Sequence, residues 1–194
     1  MTDPRSWVAP TCTGLADLLA AADAWDAPSL CEKWLVRHVV AHVTMPARLT
    51  PERFGEEMAA AGGDFAVLSD TVAARDASLP VADLLDRLRS PDLHAWQPPG
   101  GGAAGALIHA VVHSLDVTVA LDRPAVAPAE AVTAVLDLLA TGDVFGIDLT
   151  GVRLEADDTG WSRGSGRLVR ADGGSLVALL SGRTLPDGRT LPRR

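Results

Sequence analysis

Two histidines four residues apart constrain this chain more than any other feature. They are His109 and His113, in the run GALIHAVVHSLDVTVAL. Leu107, Ile108, Val111, Val112, Leu115, Val117 and Val119 surround them, so Gly105–Leu121 reads as a buried helix. Residues at i and i+4 share one helical face, and imidazoles presented there can hold two corners of one transition-metal ion. An apolar helix with a polar stripe at 109, 113 and 116 needs a partner for that stripe. The alternative to a metal is a pair of core histidines satisfied by hydrogen bonds.

The remaining histidines decide what kind of site this is. A site open for chemistry takes three protein ligands and leaves a position for water or substrate. His38 and His42 form a second i, i+4 pair on a helix expected over Leu35–Val43. His42 continues the Leu35–Val39 apolar stripe and is the expected third ligand; His38 remains as a possible fourth. Four histidines would close the site and favour a structural role. His94 falls in Asp92–Gln97, read as a loop, and is expected to be solvated. Asp116 can orient a ligand histidine, bind the metal, or cap a polar gap, in that order of preference. Cys31 lies at a helix start, where a thiol can be activated, although a small half-buried residue in a turn explains it as well. Trp34 and Trp161 read as packing anchors rather than ligand stackers. The QPPGGG stretch, Gln97–Gly102, lacks the Lys-Ser/Thr of a phosphate loop and reads as a linker or a lip over the site.

Patterning organises the chain into a helical part, residues 1–146, and a small α/β part, residues 147–194. Helices are expected over Thr13–Ala24 with Thr13 as N-cap, Asp64–Ala77, Val81–Arg89 and Pro128–Thr141, with Pro46 and Pro51 interrupting the second helix. After Ile147, VRLEA (Val152–Ala156) alternates as a half-buried strand does. Gly160–Gly166 reads as a turn, Arg167–Arg170 as a second strand, Ser175–Leu180 as a short buried helix and Thr184–Arg194 as a loose tail. The net charge of −8 argues against nucleic acid, whose phosphates need a basic surface. Met1–Val8 lacks the features of a leader, and no apolar run is long enough for a membrane span. Two cysteines are too few for a disulfide scaffold. These features imply a cytoplasmic protein, monomer or homodimer.

PSLCEKWLVRHVVAHV, Pro28–Val43, resembles the N-terminal signature of the mycothiol-dependent maleylpyruvate isomerase family, in which a tryptophan precedes a histidine by eight residues; here they are Trp34 and His42. HAVVHSLDVTVALDRP, His109–Pro124, is similar to the family's Glu-x-x-x-His with an Asp three residues later, matched by His109, His113 and Asp116. GVRLEADDTGWSRGSG and LLSGR, Gly151–Gly166 and Leu179–Arg183, resemble its C-terminal domain and terminal Gly-Arg element. The resemblance implies a mainly α fold, a DinB-like four-helix bundle with a small C-terminal α/β domain. It implies metal ligation by His42, His109 and His113, with Zn²⁺ first among divalent metals. It implies mycothiol or a similar low-molecular-weight thiol as cofactor and a small electrophilic or anionic molecule as substrate. Because His109 replaces the usual Glu, the site loses one negative charge and its metal becomes a stronger Lewis acid. The implied activity is thiolate chemistry of the isomerase or S-transferase kind. The family position also implies that Arg183 meets a substrate carboxylate, against the plainer reading of a surface arginine. The competing function is a non-catalytic metal-binding bundle with a structural or partner-binding role.

Overall fold

A computed structural model describes residues 3–194. Met1 and Thr2, the start of the segment read against a leader, lie outside them. The protein is mainly helical with one small sheet. A 3-10 turn, Pro4–Trp7, opens the described chain, and the Asp3 carboxylate accepts its Arg5 N–H at 3.0 Å. This turn starts α1 (Val8–Ala21) well before the expected Thr13. Pro10 is tolerated because N–H groups of a first turn have no helical partner. α2 (Val36–Thr44) buries Val36, Val39, Val40, Val43 and His42. A 3-10 turn, Met45–Ala47, absorbs Pro46. Pro51, expected to interrupt, instead begins a helix, α3 (Pro51–Ala60): it sits at the first position behind the Thr50 cap, where its missing N–H costs nothing. α4 (Phe65–Asp76) is capped by Asp64, α5 spans Val81–Leu88, and α6 (Pro91–Ala95) is a single turn capped by Ser90. α7 (Gly102–Thr118) and α8 (Ala129–Leu139) follow.

The C-terminal part forms a sheet of order β2-β1-β3. β1 (Val152–Ala156) runs antiparallel to β2 (Ser162–Gly164) and parallel to β3 (Arg167–Ala171). β2 falls inside the stretch read as a glycine turn. Its three residues are all exposed, so it carries no alternation to reveal it. Gly164 takes φ +82°, and a Cβ there would collide with the Val152 carbonyl oxygen. α9 (Gly173–Leu180), capped by Asp172, is buried along its whole length.

Outside its polar stripe at 109, 113 and 116, α7 is apolar because it serves two cores. Ala106, Ala110 and Val117 join α1, α2 and α5 in a bundle core with Leu15, Leu19, Val39, Val40, Leu84 and Leu88. Leu107, Val111 and Leu115 join α8, α9 and the sheet in a second core with Leu136, Leu139, Leu154 and Leu176. A fully buried leucine of this kind contributes roughly 1.5–3 kcal/mol. The chain end is fastened rather than loose. Leu185 and Leu191 are buried, the Asp148 N–H donates to the Pro192 carbonyl at 2.8 Å, and the Arg194 N–H donates to the Gly146 carbonyl at 2.9 Å. Among the described residues no helix is long and apolar enough to cross a membrane.

Candidate metal centre

The packing of α2 against α7 brings His42 opposite His109 and His113. The last two occupy successive turns of one face, as their spacing requires. One ligand atom from each of the three rings lies within 4.8 Å of the other two. The ring centroids are 5.2 Å apart for His42 and His109, 4.7 Å for His42 and His113, and 5.0 Å for His109 and His113. His42 is buried, while His109 and His113 are half-buried.

Two of the rings are held by their Nδ1 atoms. His42 Nδ1 lies 2.9 Å from the Ser69 hydroxyl of α4, and His113 Nδ1 lies 2.9 Å from Asp116 Oδ2. Such bonds fix ring orientation and leave Nε2 for a metal. Burial, reinforced by the neighbouring His113 ring, pushes His109 down to about 3. Burial and the other two rings push His42 well below the ordinary histidine value. Both are thereby kept as neutral imidazoles, the form that ligates. Three imidazole nitrogens converging within 4.8 Å of one another fit a borderline-soft divalent ion such as zinc.

His38 stands apart from this cluster. Its Nδ1 accepts the Leu35 N–H at 3.3 Å, across the start of its own helix. His94 is also away from the cluster, and it is not solvated as expected: it is half-buried in α6, with Nε2 2.8 Å from the Leu88 carbonyl oxygen.

Asp116 is the hub of a second group. Arg183, just after α9, donates through Nε to Oδ1 at 2.7 Å and through Nη2 to Oδ2 at 2.9 Å. Cys31 Sγ donates to Oδ2 at 3.0 Å and accepts from Arg183 Nη2 at 3.3 Å. Burial by itself would raise the Asp116 pKa, but the bonds from His113 and Arg183 outweigh it and hold the carboxyl below the usual carboxylate range. Burial and the Asp116 charge push the Cys31 thiol up, the reverse of an activated nucleophile. The Arg183 fork expected to meet a substrate carboxylate is thus bonded to Asp116, within reach of the histidines through that residue.

Three aromatic side chains surround the rings. Trp34 lies 5.1 Å from His42, Phe65 lies 6.4 Å from His42, and Trp96 lies 5.3 Å from His109, all centroid to centroid. Trp34, expected as a packing anchor, sits against the His42 ring and donates its Nε1–H to Asp70 at 3.0 Å. Trp161 is remote from the site and donates to Asp137 at 2.9 Å. Ser69, Phe65 and Trp96 were not singled out from sequence, where an ordinary serine and isolated aromatics carry no periodic signal.

Residues 8–95 match the family model of the mycothiol maleylpyruvate isomerase N-terminal domain. That match contains Pro28–Val43, the first segment on which the resemblance rests. Over 98% of its length, the chain also superposes on 95% of two crystal structures. One is the mycothiol-dependent maleylpyruvate isomerase, with TM-score 0.53 and 17% identity. The other is a histidine-to-alanine mutant of that enzyme, with TM-score 0.56 and 16% identity. At this identity the likeness is one of fold. Comparison with curated proteins finds no match.

Proposed function

Starting from a chain whose residues 8–95 match the mycothiol maleylpyruvate isomerase N-terminal domain and whose fold is that isomerase's, we propose a thiol-dependent enzyme of the isomerase or S-transferase kind. Its divalent metal, zinc first, is held by His42, His109 and His113. When bound, such a metal lowers the pKa of a coordinated thiol, so that a mycothiol-type cofactor becomes a thiolate at neutral pH. A thiolate can add to an activated double bond, allow rotation and leave again, or displace a leaving group.

The protein's own residues supply position and protonation state. Asp116 accepts the His113 Nδ1–H and the Ser69 hydroxyl is hydrogen-bonded to His42 Nδ1, which leaves Nε2 of each ring for the metal. Arg183 grips Asp116 with two donors and acts as a positioning residue from the C-terminal part of the chain. A cytoplasmic setting suits a low-molecular-weight thiol partner and the unpaired Cys12 and Cys31.

The observation that carries this reading is the three-histidine cluster with His38 outside it. Three ligands leave a coordination position open, as a catalytic site requires, whereas a fourth histidine would have closed it. The test is metal analysis of purified protein, with turnover assays using mycothiol and electrophilic substrates. One metal per chain and metal-dependent thiol turnover are expected, and His113→Ala should lose both. Full zinc occupancy in that variant, or thiol turnover indifferent to chelation, would overturn the proposal. One metal per chain with no thiol turnover would favour the structural metal protein.

A further inference from the structure

His109 differs from the other two histidines in how its ring is held. Ser69 bonds to His42 and Asp116 to His113, through Nδ1 in each case. Among the described residues these bonds have no counterpart at His109, whose neighbours are other rings. Two of those belong to His42 and His113. The third is Trp96, 5.3 Å away between centroids at an interplanar angle of 62°, an edge-to-face pair. The outer torsion of a histidine side chain is broad and nearly two-fold. A ring free to turn over exchanges each nitrogen with a carbon, so it presents a ligand atom only part of the time.

Trp96 is itself fixed on both sides. Its N–H donates at 3.2 Å to the carbonyl of Leu93, a residue of the bundle core. Two residues on, Pro98 begins a turn in which Pro99 is second and Gly100 third, with φ +76°, and the Gly101 N–H donates to the Pro98 carbonyl at 2.9 Å. This is the pattern of a type II turn. It folds the Pro98 ring back onto the start of α7. A Cβ on Gly105 would lie 2.7 Å from Pro98 Cγ, and one on Gly101 would lie 2.8 Å from the same atom. A pyrrolidine ring cannot swing aside as a flexible side chain does, so only glycine lets it sit there. Gly105 stands one turn before His109 on the same face. We infer that Trp96, locked by the seat of Pro98 on Gly105, is the positioning residue of His109, as Ser69 is for His42 and Asp116 for His113. In that role Gln97–Gly102 is a brace rather than a linker. The inference deepens the metal reading above and rests on it for what His109 binds.

The ring is read directly by long-range proton–nitrogen NMR of the histidines in chelator-treated protein, and its consequence by competitive zinc titration. In the parent the His109 ring should give one set of sharp signals. Trp96→Ala should broaden or split them and leave those of His42 and His113 in place. It should also weaken zinc about three- to tenfold, the range of a lost aromatic contact. Trp96→Phe keeps an aromatic ring and should restore most of both. Gly105→Ala should imitate Trp96→Ala, although alanine suits a helix better than glycine does. Unchanged far-UV circular dichroism checks the fold of each variant. A His109 ring still fixed in Trp96→Ala, or zinc affinity equal to the parent's, overturns the inference. So does equal disturbance of all three histidines, which marks a general loosening of the bundle. Parent signals in Gly105→Ala overturn the lock through Pro98. A parent protein that takes up no zinc overturns the metal reading instead, and the ring signals then still decide the role of Trp96.

Discussion

Asp116 is 1% exposed yet carries a charge, and only its partners make that tolerable. Arg183 supplies the opposite charge, and His113 and Cys31 fill the remaining acceptor positions. Removing its charge therefore has two separable effects. Asp116→Asn leaves the partly buried guanidinium of Arg183 uncompensated, which should cost about 3–5 kcal/mol by the usual penalty for a broken buried pair. It also frees His113 to turn, which should weaken metal binding roughly 10–100-fold. Urea denaturation of chelator-treated protein reads the first effect and a competitive zinc titration reads the second. Equal zinc affinity in mutant and parent would show that Asp116 serves the fold alone. At this scale the histidines were legible because i, i+4 spacing is a local property of one helix. Ser69, Phe65 and Trp96 were not, because only packing across elements brings them to the rings.

At the scale of elements, what was legible depended on whether burial wrote a period into the chain. α2, α4, α5, α7 and α8 bury continuous stripes, and their expected bounds fall within a few residues of the observed ones. α3 buries no residue, so it has no stripe; its signal is the Thr50-Pro51 start, which a reading of proline as a breaker passes over. The chain end shows the same limit. It has turn residues and no pattern, and it is nevertheless tied down by two leucines set into the second core. Leu191→Ala should therefore cost about 2–4 kcal/mol, as truncation of a buried leucine does. A denaturant midpoint unmoved by that change would mean the tail contributes nothing. Because Arg183 lies just before this tail, the variant should also weaken zinc binding if the tail steadies the grip on Asp116.

For the whole molecule the cluster ties stability, metal and pH together. In the unfolded chain a histidine titrates near about 6.5. In the metal-free folded protein burial lowers His109 to about 3 and holds His42 well below the ordinary value. Both folded values are depressed, so between about pH 6.5 and 3 the unfolded state binds more protons than the folded one. The stability is present in full above the unfolded value and is lost as pH falls, by roughly 1.4 kcal/mol per pH unit through this window for His109, with a further loss from His42 below the unfolded value. The same depression would protect a bound metal. His42 and His109 stay neutral in the folded protein at mildly acid pH, so protons do not compete with the metal for them there. Zinc affinity of the folded protein should then decline with acid less steeply than the third-power fall expected of three histidines that titrate freely. Two measurements check this. Chelator-treated protein should melt at progressively lower temperature from pH 6.5 to 5, and zinc affinity measured over the same range, below the global unfolding temperature, should fall with a slope well under three protons per metal. A slope of three, with a melting temperature independent of pH, would mean that the rings titrate as if exposed and that the apolar packing around α7 does not control their charge.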